Sequence, residues 1–182
     1  MEHLSDQELL EGLRNPESKN YYFNLLCRKF QERLYWHIRR IVLSHEDADD
    51  LLQETFIQSW QKIHTFEERS QLSTWLIRIA TNKCLDFLKK KRRFFFIPLI
   101  DVEKNLEEIL EADSYFDGDE AEKKFQKALL SLPEKQRIVF QMRYYEDLKF
   151  TEIADILSLS EGGVKSNYHL AQKKLKDFLV DD

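Results

Sequence analysis

The chain is short of the residues that staple or break a small protein. Its 182 residues contain four glycines, three prolines and two cysteines. With apolar residues at 42 %, so few turn formers leave a mostly helical globular protein, with room for one domain or two small ones. Cys27 and Cys84 both fall on apolar helix faces, which fits reduced, buried thiols of a cytoplasmic protein and argues against a disulfide framework. The histidines (His3, His37, His45, His64 and His169) stand at no ligand spacing with cysteines or carboxylates, so no metal and no cofactor is expected. No apolar run approaches the roughly 18 residues of a membrane span. The polar start, Met1 to Asp6, does not read as a secretory leader. Glycine-rich phosphate loops and nucleophile constellations are missing too, and an enzyme acting on nucleic acid is left without support.

Charge is unevenly spread. The net charge is −5, yet Lys89-Lys-Lys-Arg-Arg93 and the last helix are basic, while Asp101 to Glu122 carries ten acids and a single lysine. Segregation of this kind suggests basic surfaces for nucleic acid and an acidic segment for something else. The acidic total also implies weak binding to duplex DNA alone, because such binding is driven by cations that replace counterions.

Helical periodicity organises the first half into four helices. Ser5-Asp6 caps a short one ending near Gly12. Asn15-Pro16-Glu17 is a turn with proline placed to start the second, whose stripe is Tyr22, Leu25, Leu26, Phe30, Leu34, Ile38, Ile41 and Val42. Ser44 and Asp47 resemble a capping box opening a third helix, from about His45 to Ile63. On it Leu52, Phe56, Ser59 and Ile63 are expected inward, leaving Asp49, Asp50, Gln53 and Glu54 outward. A polar turn, His64 to Ser70, leads to a fourth helix that buries Leu72, Trp75, Leu76, Ile79, Ala80, Cys84, Phe87 and Leu88. Its off-core residues are Thr74, Arg78, Thr81, Asn82, Asp86 and Lys89.

Residues 94–120 read as an acidic linker with apolar elements, Phe94 to Ile100 and a brief amphipathic helix at Val102, Leu106, Ile109 and Leu110. These either pack back on a domain or meet a partner. A second unit begins near Ala121. Phe125, Ala128, Leu129 and Leu132 line one helix, and Pro133 stops it and starts the next, with Ile138, Val139 and Met142. Leu148 to Leu175 then reads as a helix-turn-helix. Ile153, Ala154 and Leu157 lie on its first helix, Leu159 covers the turn, and Ser160 caps a second helix with the stripe Val164, Tyr168, Ala171 and Leu175. Lys165, Ser166, Asn167, His169, Gln172, Lys173 and Lys176 face outward, able to donate to phosphates and base edges. A packed helical hairpin with a solvated basic face would show the same pattern.

Three stretches, in order, carry a resemblance over nearly the whole chain. They are Asp47-Ala-Asp-Asp-Leu-Leu-Gln-Glu-Thr-Phe56, Ser73-Thr-Trp-Leu-Ile-Arg-Ile-Ala-Thr-Asn82 with the basic run beyond it, and Leu130-Ser-Leu-Pro-Glu-Lys-Gln-Arg-Ile-Val-Phe140 with the helix-turn-helix. Together they resemble a bacterial sigma factor of the extracytoplasmic-function type. The resemblance implies an all-α protein with an N-terminal four-helix promoter-melting domain at 1–93, a linker at 94–120, and a C-terminal four-helix domain at 121–182 that reads the minus-thirty-five element. The implied partners are RNA polymerase core (the β′ clamp helices and the β subunit), promoter DNA and an anti-sigma factor.

By the same resemblance, Asp49, Asp50, Gln53 and Glu54 would engage the clamp helices; a cluster of acids on a helix is otherwise a solvated face. His64, Arg69, Thr74, Trp75, Arg78, Asn82 and Lys89 would serve the minus-ten element, since melted DNA needs cations, a stacking aromatic and a pocket for a flipped base. Trp75 fits both the core stripe and that stacking role. Ser160, Lys165, Ser166, Asn167, His169 and Lys173 would read or hold the minus-thirty-five duplex. The chain departs from the family at Asn167, Leu170 and Gln172, where arginines are common, and at Gly163, where threonine or alanine is. The linker would thread toward the polymerase active-site and RNA-exit channels. An autonomous helix-turn-helix regulator is the main rival, and an adaptor protein with basic helices is another.

Overall fold

The structure is a computed structural model that describes residues 4–95 and 120–180. All regular structure among the described residues is helical, and the chain divides into two compact units, Met1–Leu88 and Lys89–Asp182. Most of the acidic linker, including all but its first two residues and its last, lies outside the described residues, as does the amphipathic helix expected within it.

The first unit is built from α1 (Asp6–Arg14), α2 (Lys19–Val42), α3 (His45–Lys62) and α4 (Leu72–Phe95), whose last two turns run on past Leu88, with a short 3-10 turn at Ile63–Thr65. Ser5 starts α1 with a full capping box. Its Oγ accepts from Glu8 N at 3.2 Å, and Glu8 Oε2 accepts from Ser5 N at 2.8 Å. The Ser5 hydroxyl, which donates to Glu8 Oε2 at 2.7 Å, and then the Ser5 backbone N–H hold the Glu8 carboxyl below its ordinary range. Pro16 does not begin α2. Asn15 instead accepts from Ser18 N and Lys19 N through its carbonyl and from Glu17 N through its side chain, so one turn of chain is spent before Lys19.

Buried Gly12 of α1 lies under the Tyr22 ring of α2, where a methyl group would collide with the ring. In open helix Gly→Ala gains about 1 kcal/mol. At Gly12 the sign reverses: Gly12→Ala is expected to lose about 1–3 kcal/mol in urea unfolding. Gly162, near the start of the last helix, has nothing within 4 Å of an added Cβ. Gly162→Ala is expected to gain stability in the same measurement.

The inward stripe of α3 is Ala48, Leu51, Thr55 and Ser59. This corrects the expected placement of Leu52 and Phe56, which are only half-buried, Phe56 lying edge-on to Phe23. The reason is size. Small residues let α3 lie close to the core, and the two hydroxyls satisfy themselves on their own helix, Thr55 Oγ1 donating to Leu51 O at 2.6 Å and Ser59 Oγ to Thr55 O at 2.7 Å.

α4 is buried over a wide arc that includes Leu72, Leu76, Ile77, Ile79, Ala80 and Cys84. Thr74 and Thr81, expected off the core, are inside it at 5 % and 0 % exposure. Thr81 Oγ1 donates to Ile77 O at 2.8 Å and lies 2.8 Å from Nε2 of the equally buried His37, joining α2 to α4 without an unpaired polar atom at that hydroxyl.

The second unit comprises α5 (Glu120–Leu130), α6 (Glu134–Tyr144), α7 (Phe150–Leu157) and α8 (Glu161–Val180). Its core joins Ala128, Leu129, Leu132, Phe140, Ala171 and Leu175. Phe140 stacks between Tyr144 and Tyr168, with ring centroids at 5.4 and 5.7 Å, and Phe150 meets Tyr168 edge-on. Pro133 stands at the N-cap of α6. Ser158 ends α7 in the left-handed region, φ 54°, and reverses the chain toward α8, where Ser160 Oγ accepts from Gly163 N at 3.1 Å. Val164, Ala171 and Leu175 are buried and Tyr168 half-buried, so the expected inward stripe of α8 is the observed one, while on α7 Ile156 is buried beside Ile153 and Ala154 and the expected Leu157 only half-buried.

Candidate protein and nucleic-acid interfaces

On α3, Asp50, Gln53 and Glu54 are exposed at spacings of three and one, on one face. Asp49 sits to one side, half-buried, its Oδ2 3.5 Å from His45 Nε2. Glu54 already has a partner within the unit, Lys83 Nζ of α4 at 2.8 Å. Ile57 completes the face, three residues after Glu54 and 59 % exposed. Ile57 is not among the residues expected on this face. Its seven-residue offset from Asp50 is the available signal, masked because hydropathy puts the inward stripe on Leu52 and Phe56, one position beyond Leu51 and Thr55.

α4 offers a different chemistry. Trp75, Arg78, Asn82 and Lys89 recur at helical spacing along one side, and Arg78, Asn82 and Lys89 are exposed. Trp75 is half-buried, its ring 5.4 Å from Phe66 and tilted by 49°. It therefore packs against the loop and still shows part of its surface. Thr74 points into the core and does not share this side.

Beside the same loop lies a groove of about 520 Å³, floored by Leu10, Leu13, Pro16, Ile63 and Phe66 and edged by Arg14, Lys19 and His64. Arg14 is ion-paired with Glu68, whose backbone is left-handed at φ 57°, and Lys19 rests over the Trp60 ring at 4.1 Å. Arg69 is 85 % exposed and pairs with Glu67 at 2.7 Å. An apolar floor with a cationic edge can take a flat base and the phosphate attached to it.

In the second unit, Lys165, Ser166, His169, Gln172, Lys173 and Lys176 of α8 are exposed, a face of donors. Lys165 pairs with Glu161 at 2.6 Å. Asn167 is half-buried and its Nδ2 donates to Gly163 O at 2.8 Å, so it turns back along the helix. Ser160 is exposed, with its hydroxyl engaged as the cap.

Among the described residues no group of His, Cys, Asp or Glu could hold a metal ion, and no helix is long and apolar enough to cross a membrane. Burial pushes the Cys27 thiol up to about 11 and the Cys84 thiol up to about 12.

Two family models match this chain: Sigma-70 region 2 over residues 26–94 and Sigma-70, region 4 over residues 122–175. The ECF RNA polymerase sigma factor SigW of Bacillus subtilis is 30 % identical over 163 residues, 84 % of this chain and 86 % of that protein. The ECF RNA polymerase sigma-E factor of Haemophilus influenzae is 28 % identical, with 97 % of this chain and 96 % of that protein covered. Two solved structures are similar in fold. The sigma factor RpoE from Bartonella quintana, in complex with the anti-sigma factor NepR, has a TM-score of 0.68 at 23 % identity, covering 88 % of this chain and 98 % of that one. CnrH, in complex with the cytosolic domain of CnrY, has a TM-score of 0.64 at 22 % identity, covering 97 % and 96 %.

Proposed function

The chain belongs to the extracytoplasmic-function RNA polymerase sigma factors, which direct the polymerase to promoters, and we propose that it does so through two faces of the first unit and one of the second. The observation that carries this division is the separation of chemistry within the first unit. Asp50, Gln53 and Glu54 on α3 repel DNA and suit an arginine-bearing surface of polymerase core. Trp75, Arg78, Asn82 and Lys89 on α4 combine charge, an aromatic ring and an amide, as a melted strand requires.

The groove edged by Arg14, Lys19 and His64 receives an unpaired base of the minus-ten element. In the second unit, α8 enters the major groove of the upstream duplex, Ser166 and His169 facing base edges and Lys165 and Lys173 facing phosphates. Catalysis belongs to the polymerase. An anti-sigma partner is part of the proposal, because a sigma factor of this fold, RpoE from Bartonella quintana, is held in such a complex.

Run-off transcription with core polymerase tests the whole reading: discrete transcripts must depend on this protein. Duplex affinity of the holoenzyme tests α8. Lys165→Ala/Lys173→Ala is expected to make the slope of log K against log salt shallower by about two, one for each phosphate contact. An unchanged slope removes the lysines from the DNA interface. Tight, specific duplex binding by the isolated chain, with no effect on the polymerase, would instead restore the autonomous regulator.

A further inference from the structure

Leu170 lies in the middle of the outward face of α8 and is 47 % exposed, although it is a large aliphatic residue. Ser166, His169, Leu170 and Lys173 follow one another at spacings of three, one and three, so Leu170 stands on the same side as the groups facing DNA. The inward stripe of Val164, Ala171 and Leu175 is already buried and does not need it. Nor is Leu170 part of a continuous apolar strip that another protein would cover. The positions four residues before and after it, Ser166 and Lys174, are polar and exposed. An isolated apolar group within a polar reading face matches a partner that offers a single small apolar group among hydrogen-bonding edges. In the major groove that group is the 5-methyl of thymine.

We propose that Leu170 is a specificity-determining residue that packs on the 5-methyl group of one thymine in the upstream duplex element. The inference rests on the reading of α8 as the helix that enters the major groove. Burying one methyl-sized group is worth about a four-fold change in affinity. Nothing in the contact needs hydrogen bonding, so it discriminates by the methyl alone.

The experiment uses holoenzyme reconstituted from core polymerase and the full chain. Preferred upstream duplexes are first selected from a randomised library, and each thymine in them is then replaced singly by deoxyuridine, which removes the methyl and keeps every hydrogen-bonding edge. One position is expected to cost the wild-type holoenzyme about four-fold in affinity. The same replacement should cost the Leu170→Ala and Leu170→Gln holoenzymes nothing measurable, while both variants bind the thymine duplex about four-fold more weakly than wild type.

The proposal is overturned if no deoxyuridine position distinguishes wild type from the two variants. The Lys165→Ala/Lys173→Ala holoenzyme then locates the failure. If it still shows a shallower salt slope, α8 reads DNA and Leu170 does not read the methyl. If its slope is also unchanged, the reading of α8 itself has failed.

Discussion

Asp50→Ala/Gln53→Ala/Glu54→Ala is expected to weaken binding to polymerase core by at least about 100-fold, the sum of three side chains at the centre of an interface where charged anchors each contribute about 1–3 kcal/mol. All three are exposed, so the folded unit should survive and its circular dichroism should not change. Of the three, Glu54 should matter most, for a reason visible in its neighbour. Glu54 neutralises Lys83 at 2.8 Å, and removing it leaves an ammonium facing a cationic partner. Lys83→Ala alone should act in the opposite direction, strengthening core binding about two- to three-fold, because an exposed ion pair worth about 0.2–1 kcal/mol no longer competes for the carboxylate. Competition against labelled wild-type protein for core polymerase measures both. A triple variant within about three-fold of wild type would remove this face from the interface.

The second large effect is expected on α4. Trp75→Ala/Arg78→Ala/Asn82→Ala should reduce run-off transcription from an intact duplex promoter roughly 10- to 100-fold, since one stacked base is worth about 1–3 kcal/mol before charge and hydrogen bonds are added. On a template whose minus-ten region is mismatched and already open, the same variant should recover to within about five-fold, because the energy of unpairing no longer has to come from the protein. Trp75 touches Phe66, so its loss also loosens the loop. Trp75→Phe separates the two roles by keeping an aromatic packing group. If the open template gives no rescue, the side of α4 is structural and melting is driven from elsewhere.

How much of this could be read from sequence depends on what each face is made of. The stripes of α2 and α8 were legible because large aliphatic and aromatic residues recur at three and four, and nothing else can stabilise such a pattern in water. The acidic face of α3 was legible for the converse reason, that Asp50 and Glu54 have no cheap place inside. Its inward face was legible only at its end, at Ser59 and at Ile63 just beyond it. Ala48, Thr55 and Ser59 make that contact by being small and by returning their hydroxyls to their own backbone, whereas hydropathy points to Leu52 and Phe56 at its margins.

Hydropathy misplaces Thr74 and Thr81 in the same way, since both are buried where α4 is surrounded over a wide arc. The groove was beyond reach as well, since residues 10–19 and 63–66 meet there only once the chain has folded. The stacking of Tyr144, Phe140 and Tyr168 depends likewise on how α6 and α8 approach.

Both cysteines of the chain, Cys27 on α2 and Cys84 on α4, belong to the first unit, and the second has no sulfhydryl at all. Burial pushes both thiols up, to about 11 and about 12, so little of either is thiolate at neutral pH. Folded protein therefore reacts slowly with peroxide or alkylating reagents. When the first unit opens, both sulfurs return to ordinary reactivity together. Cys84 is fully buried and Cys27 only half-buried, so the Cys84 thiol is the one whose consumption of a thiol reagent counts openings of the first unit and ignores the second, while Cys27 also reacts through local fluctuation.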